Sequence, residues 1–325
     1  MNGSSGASQQ DDELAIQASG LVKAYRHGPV LSGLDLRVPR GSVFALLGPN
    51  GSGKTTTVRI LSTLTEADAG QARVAGFDVL RDRSAVRRRI SLTGQFAALD
   101  EAQTGVENLR MMGRLSRLSR PATRQRAAEL IEQFELTAAG RRRVGTYSGG
   151  MRRRLDIAAS LVGRPSVIFL DEPSTGLDPQ SRLTMWRVIA GLAASGVTVF
   201  LTTQYLEEAD RLAGRIAVLD AGRLIAEGTA AELKRRIAAR RLDLTCPNAA
   251  AFAEVSRYFG DQAVHLDPAG LTVGVPTDGG AAEVRALLDA ADPGRVLIAG
   301  FAVRDATLDD VFLTLTGHAQ ETAHV

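Results

Sequence analysis

The sequence predicts an α/β fold with a parallel sheet, followed by a smaller α+β domain. Apolar runs at Val43–Leu47, Val167–Leu170 and Val197–Leu201 are strand-sized, and each leads into a helix-like segment. The runs end in residues suited to ligand contact: Gly48, the Asp171–Glu172 pair and Gln204. Open α/β sheets place ligand-contacting groups at the C-terminal ends of their strands. Composition then shifts near Arg241, and a βαββαβ order follows, the ferredoxin-like arrangement.

Taken in order, residues 1–12, MNGSSGASQQDD, are Gly/Ser/Gln-rich and are expected to be disordered. Leu14–Ala18 is strand-like. Val43–Leu47 is a strand that ends in a Gly-rich loop, and Thr55–Leu64 is the helix leaving it. Residues 101–163 carry helical periodicity, with Leu, Met and Ala on one face and Arg and Glu on the other. Ser166–Leu170 is a strand and Pro179–Ala194 a helix. After Gly222 come a short strand and the helix AAELKRRIAARR. From Arg241 the pattern gives strand 242–246, helix 249–258, strands 262–266 and 270–275, helix 280–290 and strand 296–303. The turns DPAG and ADPG support those boundaries. The tail LDDVFLTLTG reads as a short amphipathic helix. The expected domains are therefore 13–240, with a helical part at about 97–163, and 241–325.

The chain has 325 residues, 44% hydrophobic and 23% charged, with a formal net charge of +3. That near balance argues against a dedicated nucleic-acid binder. The single cysteine, Cys246, excludes an intrachain disulfide and points to a reducing compartment. No apolar run approaches the roughly 18 residues needed to span a bilayer, and no signal peptide is visible. Work at a membrane would need another chain. Arg clusters at 87–89, 141–143 and 152–154 read as solvated helix faces, with docking to an acidic partner or lipid head groups as the alternative.

GPNGSGKT, Gly48–Thr55, fits G-x-x-x-x-G-K-[ST] between a strand and a helix. Gly48, Pro49, Asn50, Gly51, Ser52 and Gly53 would turn backbone N–H groups toward phosphate oxygens, and the helix N-terminus adds its positive dipole end. Lys54 supplies a point charge for the β/γ-phosphates. Thr55 offers a Mg²⁺ ligand, and Thr56 beside it is expected to join the nucleotide-binding set. In VIFLDEPSTGLDP, Asp171 can hold Mg²⁺ through water. Glu172 is placed to take a proton from an attacking water, as general base. YSGGMRRRLDIAAS, residues 147–160, opens a second helix whose N-terminus can bind an anion, and Ser148 doubles as its N-cap. Two phosphate-cradling sites beside one nucleotide loop suggest a dimer in which each subunit completes the other's site.

The order of Gly48–Thr55, Gln95 after ISLTG, Ser-Gly-Gly, FLDEP and TGLD resembles the ATP-binding subunits of ABC transporters. The wording YSGGMRRRLDIAASLVGRPSVIFLDEPSTGLDP and the tail LDDVFLTLTG resemble the daunorubicin-resistance type of drug-export ATPases. The resemblance covers about residues 14–320. It implies a P-loop ABC ATPase domain, with a RecA-like core, an antiparallel β subdomain and a helical subdomain. It also implies ATP and Mg²⁺ as cofactors and a homodimer that drives a separate integral-membrane permease from the cytoplasmic face. By position, Tyr25 resembles the aromatic residue that stacks on adenine, and Gln95 the residue that senses Mg²⁺ and faces the permease. Ser148, Gly149 and Gly150 would bind the opposite subunit's γ-phosphate, with Asp178 across the dimer interface. Tyr147 and Met151 depart from the common Leu-Ser-Gly-Gly-Gln pattern, and Met151 lacks the hydrogen bonds a Gln could make.

Gln204 stands where most of this superfamily has a histidine that touches the γ-phosphate. Its amide NH₂ can reach the same oxygen; the alternative is a polar helix cap. Other functions weigh less. A chromosome-type ATPase acting on nucleic acid would carry a long coiled coil, but only about 90 residues separate Thr56 from Tyr147, without sustained heptads. A ribosome-type member would carry two cassettes. Export of a lipid or polysaccharide is the remaining alternative. In residues 241–325, His265 alone suggests no metal or catalytic site, so a dimerising or regulatory role is expected.

Overall fold

Val43–Leu47 is buried at every position, as expected of a strand covered on both faces of a parallel sheet. The computed structural model describes residues 13–94, 99–235, 240–305, 307–308 and 311–312. The expected disorder at residues 1–12 and the site residue Gln95 lie outside that set. The chain divides into two compact units, Met1–Glu227 and Gly228–Val325.

The first unit runs β1 (Leu14–Tyr25), β2 (Gly28–Pro39), β3 (Val43–Leu47), α1 (Lys54–Leu61), β4 (Ala69–Val74), β5 (Phe77–Asp78) and α2 (Arg83–Arg89). It continues through β6 (Ile90–Thr93), α3 (Gly105–Leu115), α4 (Arg120–Gln133), α5 (Gly149–Ser160), β7 (Val167–Asp171) and α6 (Pro179–Ala194). β8 (Thr198–Thr203), α7 (Leu206–Leu212), β9 (Arg215–Asp220) and β10 (Arg223–Gly228) complete it. Six strands form one sheet in the order β10-β9-β3-β8-β7-β6. β3 is parallel to β8 and β9, and β7 is parallel to β6 and β8. Phe44 and Phe200 stack across β3 and β8 with ring centroids 5.5 Å apart. A second, four-stranded sheet, β2-β1-β4-β5, shares a core with α1 and one face of the first.

That antiparallel sheet exceeds the expectation. β1 reaches Tyr25 rather than Ala18, because its pairing shifts register across Ser19–Gly20 and breaks the alternation there. β2 lies outside the strands the sequence predicts, although Leu34, Leu36 and Val38 alternate with exposed Asp35 and Arg37.

The helical part, α3 to α5, is tied down at its start. Thr104 and Glu107 form a capping box on α3. Asn108, fully buried, accepts from the Asp100 N–H at 2.8 Å and donates to the carbonyls of Asp100 and Thr104 at 3.0 and 3.1 Å. The Tyr147 hydroxyl donates to the Ala139 carbonyl at 2.7 Å.

The second unit holds α8 (Ala230–Arg235), β11 (Arg240–Thr245), α9 (Ala249–Phe259), β12 (His265–Asp267), β13 (Thr272–Thr277), α10 (Ala281–Ala291) and β14 (Gly300–Asp305). Its antiparallel sheet has the order β12-β13-β11-β14. Leu242, Leu244, Val273 and Val275 pack against Val255, Phe259 and Val284. Several boundaries differ from the sequence reading: β12 and β13 start at His265 and Thr272 rather than 262 and 270, and two further differences have a visible cause. Arg240 and Arg241 start β11 rather than ending a helix, paired to Thr277 and Pro276. β14 begins at Gly300 rather than 296, because the Asp292 carboxylate accepts from the amides of Val296, Leu297 and Ile298 and fixes them as a loop. In the tail, Leu308, Val311 and Phe312 are helical and buried; the rest lies outside the described residues. No helix among the described residues is long and apolar enough to cross a membrane.

Asn108→Ala removes three partly buried hydrogen bonds, among them the one donated by the Asp100 N–H. Urea unfolding should show a loss of about 2–3 kcal/mol. An unchanged midpoint would mean the clamp contributes nothing to stability.

Candidate active site at the C-terminal edge of the sheet

Parallel register assembles the site. Leu47 pairs with Thr203, and Asp171 with Thr202. Gly48, Glu172 and Gln204 are thus the next residues out, on neighbouring strands spaced about 4.8 Å apart.

The loop from Gly48 to Thr55 is shaped for a phosphate. A Cβ at Gly48 would stand 2.2 Å from the Leu219 carbonyl oxygen and 2.6 Å from Ser52 Oγ. Gly53 takes a left-handed φ of 109° as N-cap of α1, with no side chain capping the helix. Thr104, Ser119, Ser148 and Asp178 do cap α3 to α6. The first amides of α1 are left for a ligand. Ser52 Oγ is buried with no partner, while Asn50, Gly51 and Thr55 are exposed at the mouth. Lys54 Nζ is buried and donates to the carbonyls of Gly48 and Pro49 at 2.8 and 3.0 Å. Burial pulls its ammonium below the ordinary lysine value, and Glu172 and Asp171 oppose that.

The acidic pair faces this loop. Thr55 Oγ1 donates to Asp171 Oδ2 at 3.3 Å, and Thr202 Oγ1 to Asp171 Oδ1 at 2.5 Å. Hydroxyl and carboxylate oxygens side by side suit a hard divalent cation. Glu172 Oε1 lies 3.9 Å from Lys54 Nζ. Its backbone is left-handed, φ 48°.

A family model described as ABC transporter matches residues 31–175. The daunorubicin/doxorubicin resistance ATP-binding protein DrrA of Streptomyces peucetius is 50% identical over 307 residues, covering 94% of this chain and 93% of that one. This chain belongs to the ABC transporter ATP-binding family. The family's members are ATPases that dimerise and power transport through separate membrane permeases. The Nod factor export ATP-binding protein I of Ralstonia nicotianae is 43% identical over 218 residues, covering 67% of this chain and 68% of that one. A solved ATP-binding subunit of an ABC transporter superposes with a TM-score of 0.61 at 27% identity, over 68% of this chain and 92% of that one.

In this ABC subunit a second cluster stands apart from the first. Ser148 and Gly149 are exposed at the start of α5, where Ser148 Oγ accepts from the Met151 N–H at 3.3 Å. A Cβ on Gly150 would meet Ser181 Oγ at 2.4 Å. Ser181 in turn donates to Asp178 through its amide, at 2.9 Å, and its hydroxyl, at 2.6 Å. Those bonds hold the Asp178 carboxyl below the usual carboxylate range. Among the described residues, Ser148–Gly150 and Asp178 make no hydrogen bond to Gly48–Thr56. Tyr25 closes the β1–β2 hairpin opposite Gly28, with Lys23 Nζ 5.4 Å from its ring centroid. Val30, on the same hairpin, lines Gly53.

In the cluster at 152–154, Arg153 and Arg154 are not solvated, whereas the Arg152 side chain is 37% exposed. Residues 87–89 and 141–143 are exposed, but the Arg153 side chain is only 12% exposed and Arg154 16%. Arg153 donates to the carbonyls of Gly94, Asp171 and Pro173 at 2.6, 3.2 and 3.2 Å. Its place three residues after buried Gly150 and four before buried Ile157 put it on the inner stripe, a spacing that could have revealed it. Burial pulls its guanidinium below the ordinary value, opposed by Asp156, Asp171 and Glu208.

Gln204 is not a helix cap. α7 starts after Tyr205 with no side-chain cap. Behind it, Trp186 Nε1 donates to buried Glu208 Oε1 at 3.1 Å, and burial pushes that carboxyl up. A neutral amide donor to a phosphate contributes modestly, so Gln204→Ala should lower ATP turnover about 10-fold. Gln204→His should stay active and gain an inflection between about pH 6 and 7 relative to wild type. Wild-type turnover in Gln204→Ala would remove Gln204 from the chemistry.

Proposed function

We propose that this ABC subunit dimerises with a second copy around two Mg²⁺–ATP and drives a separate permease that exports an apolar drug or antibiotic. One observation carries the hydrolytic reading: Lys54 Nζ lies 3.9 Å from Glu172 Oε1 and Thr55 Oγ1 3.3 Å from Asp171 Oδ2, two neighbouring pairs at one sheet edge. Lys54 and the α1 amides would hold the β/γ-phosphates. Thr55 and Asp171 would hold Mg²⁺, which supplies charge neutralisation at the phosphates when bound. Glu172 would take the proton of the attacking water, and Gln204 would donate to the γ-phosphate. Tyr25 would stack on adenine. Ser148, Gly149 and Gly150 of one subunit, with Asp178 beside them, would close over the nucleotide of the other. The subunit would sit at the cytoplasmic face through its permease, with residues 241–325 as a dimerising or regulatory module.

The cargo class rests on the length of the likeness. The match to the daunorubicin/doxorubicin resistance protein spans 94% of the chain, whereas that to the Nod factor export protein spans 67%. The shared extra length favours a drug over a lipid or polysaccharide.

Glu172→Gln should bind ATP normally, hydrolyse it about 10²- to 10⁴-fold more slowly, and accumulate as an ATP-bound dimer. Near-normal turnover would sink the general-base assignment. Wild-type ATPase rate per subunit should rise with protein concentration. Co-expressed with its cognate permease, the subunit should confer resistance to apolar drugs. A rate per subunit that stays flat in a monomeric preparation would contradict the two-subunit site.

A further inference from the structure

We propose that Arg153 is a positioning residue for hydrolysis, whose guanidinium fixes the left-handed backbone of Glu172 and thereby aims its carboxylate. The inference rests on the reading of Glu172 as general base. Glu172 has φ 48°, a region that side chains other than glycine's occupy at a cost and keep only where the surroundings over-determine it.

Here the surroundings do. The Glu172 N–H donates to the Thr202 carbonyl at 3.1 Å and approaches Thr202 Oγ1 at 3.2 Å. The carbonyl before Glu172, of Asp171, accepts from Arg153 Nη2 at 3.2 Å, and the carbonyl after it, of Pro173, accepts from Nε at 3.2 Å. Both sides of the strained residue are therefore held by one planar fork. The remaining arm, Nη1, donates to the Gly94 carbonyl at 2.6 Å and pairs with Asp156 Oδ2 at 3.4 Å. A lysine ammonium keeps the charge but is a single nitrogen, so it cannot span these acceptors. Arg153 also sits on α5, the helix opened by Ser148–Gly150. In the two-subunit arrangement, that helix start serves the partner's nucleotide while Arg153 sets this subunit's own base.

Arg154 is a matched control. It is comparably buried, and its Nη1 donates to the carbonyls of Phe134 and Glu135 at 3.0 and 3.3 Å, on another segment. The test measures kcat and KM for ATP, and the melting temperature, in full-length Arg153→Lys, Arg153→Gln, Arg154→Lys and Glu172→Gln. Both Arg153 variants should lose about 10-fold or more in kcat with KM within about threefold. Arg154→Lys should keep kcat within about threefold at a similar loss of melting temperature. Wild-type kcat in Arg153→Lys overturns the inference, as does a loss confined to KM. Activity that tracks melting temperature alike at both positions also overturns it. Glu172→Gln separates the two claims. If it hydrolyses normally, the general-base reading has failed. If it is slow while Arg153→Lys is normal, only the role of Arg153 has.

Discussion

The register of three parallel strands is the constraint on which the site depends. β3, β7 and β8 pair so that Leu47 meets Thr203 and Asp171 meets Thr202. Side chains alternate with period two along each strand, so a one-residue slip would invert every one of them. The buried runs prevent that slip. Val43–Leu47 and Thr198–Thr203 are buried at every position, and displacing either would push polar edge residues into the core. Packing deep in the sheet thus decides which groups stand together at its rim.

Electrostatics at that rim follows from burial. Lys54, on the phosphate loop, and Arg153, on α5, are cations that both reach the Asp171–Pro173 segment. Unpaired, any of these charges would be costly in so enclosed a place. Together they compensate: Lys54 reaches Glu172, and Arg153 reaches Asp156 while its other donors take backbone carbonyls. The cations divide the labour. Lys54 has its ammonium beside the loop that faces a ligand, while Arg153 turns its donors to the chain itself.

Much of this was legible in the residues. Strand-sized apolar runs, the Gly48–Thr55 spacing, and acidic residues directly after Leu170 locate the edge without coordinates. The paired β1–β2 ribbon was not, since Gly20 and Gly33 shift the register and break the alternation that a strand reading relies on. Arg153 was hidden for a different reason. Three consecutive arginines read as solvent-facing, and only the helical phase set by Gly150 and Ile157 separates Arg153 from Arg152. Its partners are carbonyls, which every residue carries, so no side-chain pattern announces them.

The two helix starts differ in a way that bears on assembly. α1 has no side-chain cap, so its first amides stay open toward the phosphate loop. At α5, Ser148 Oγ accepts from the Met151 amide. With that lone pair engaged, its O–H remains available as a donor, and Ser148 and Gly149 are both exposed. One helix start thus offers backbone donors deep in a loop, and the other offers a hydroxyl and an amide on an exposed surface. Gly150 against Ser181, and Ser181 on Asp178, lock the second surface to α6. A site of the first kind can enclose the near side of a phosphate chain but not its far side. A surface of the second kind can supply the far side only to a ligand carried by another molecule. Under the two-subunit reading, α5 then carries both halves of the problem on one rigid rod: its first turn faces the neighbour's phosphate, and a turn later Arg153 holds the base of its own.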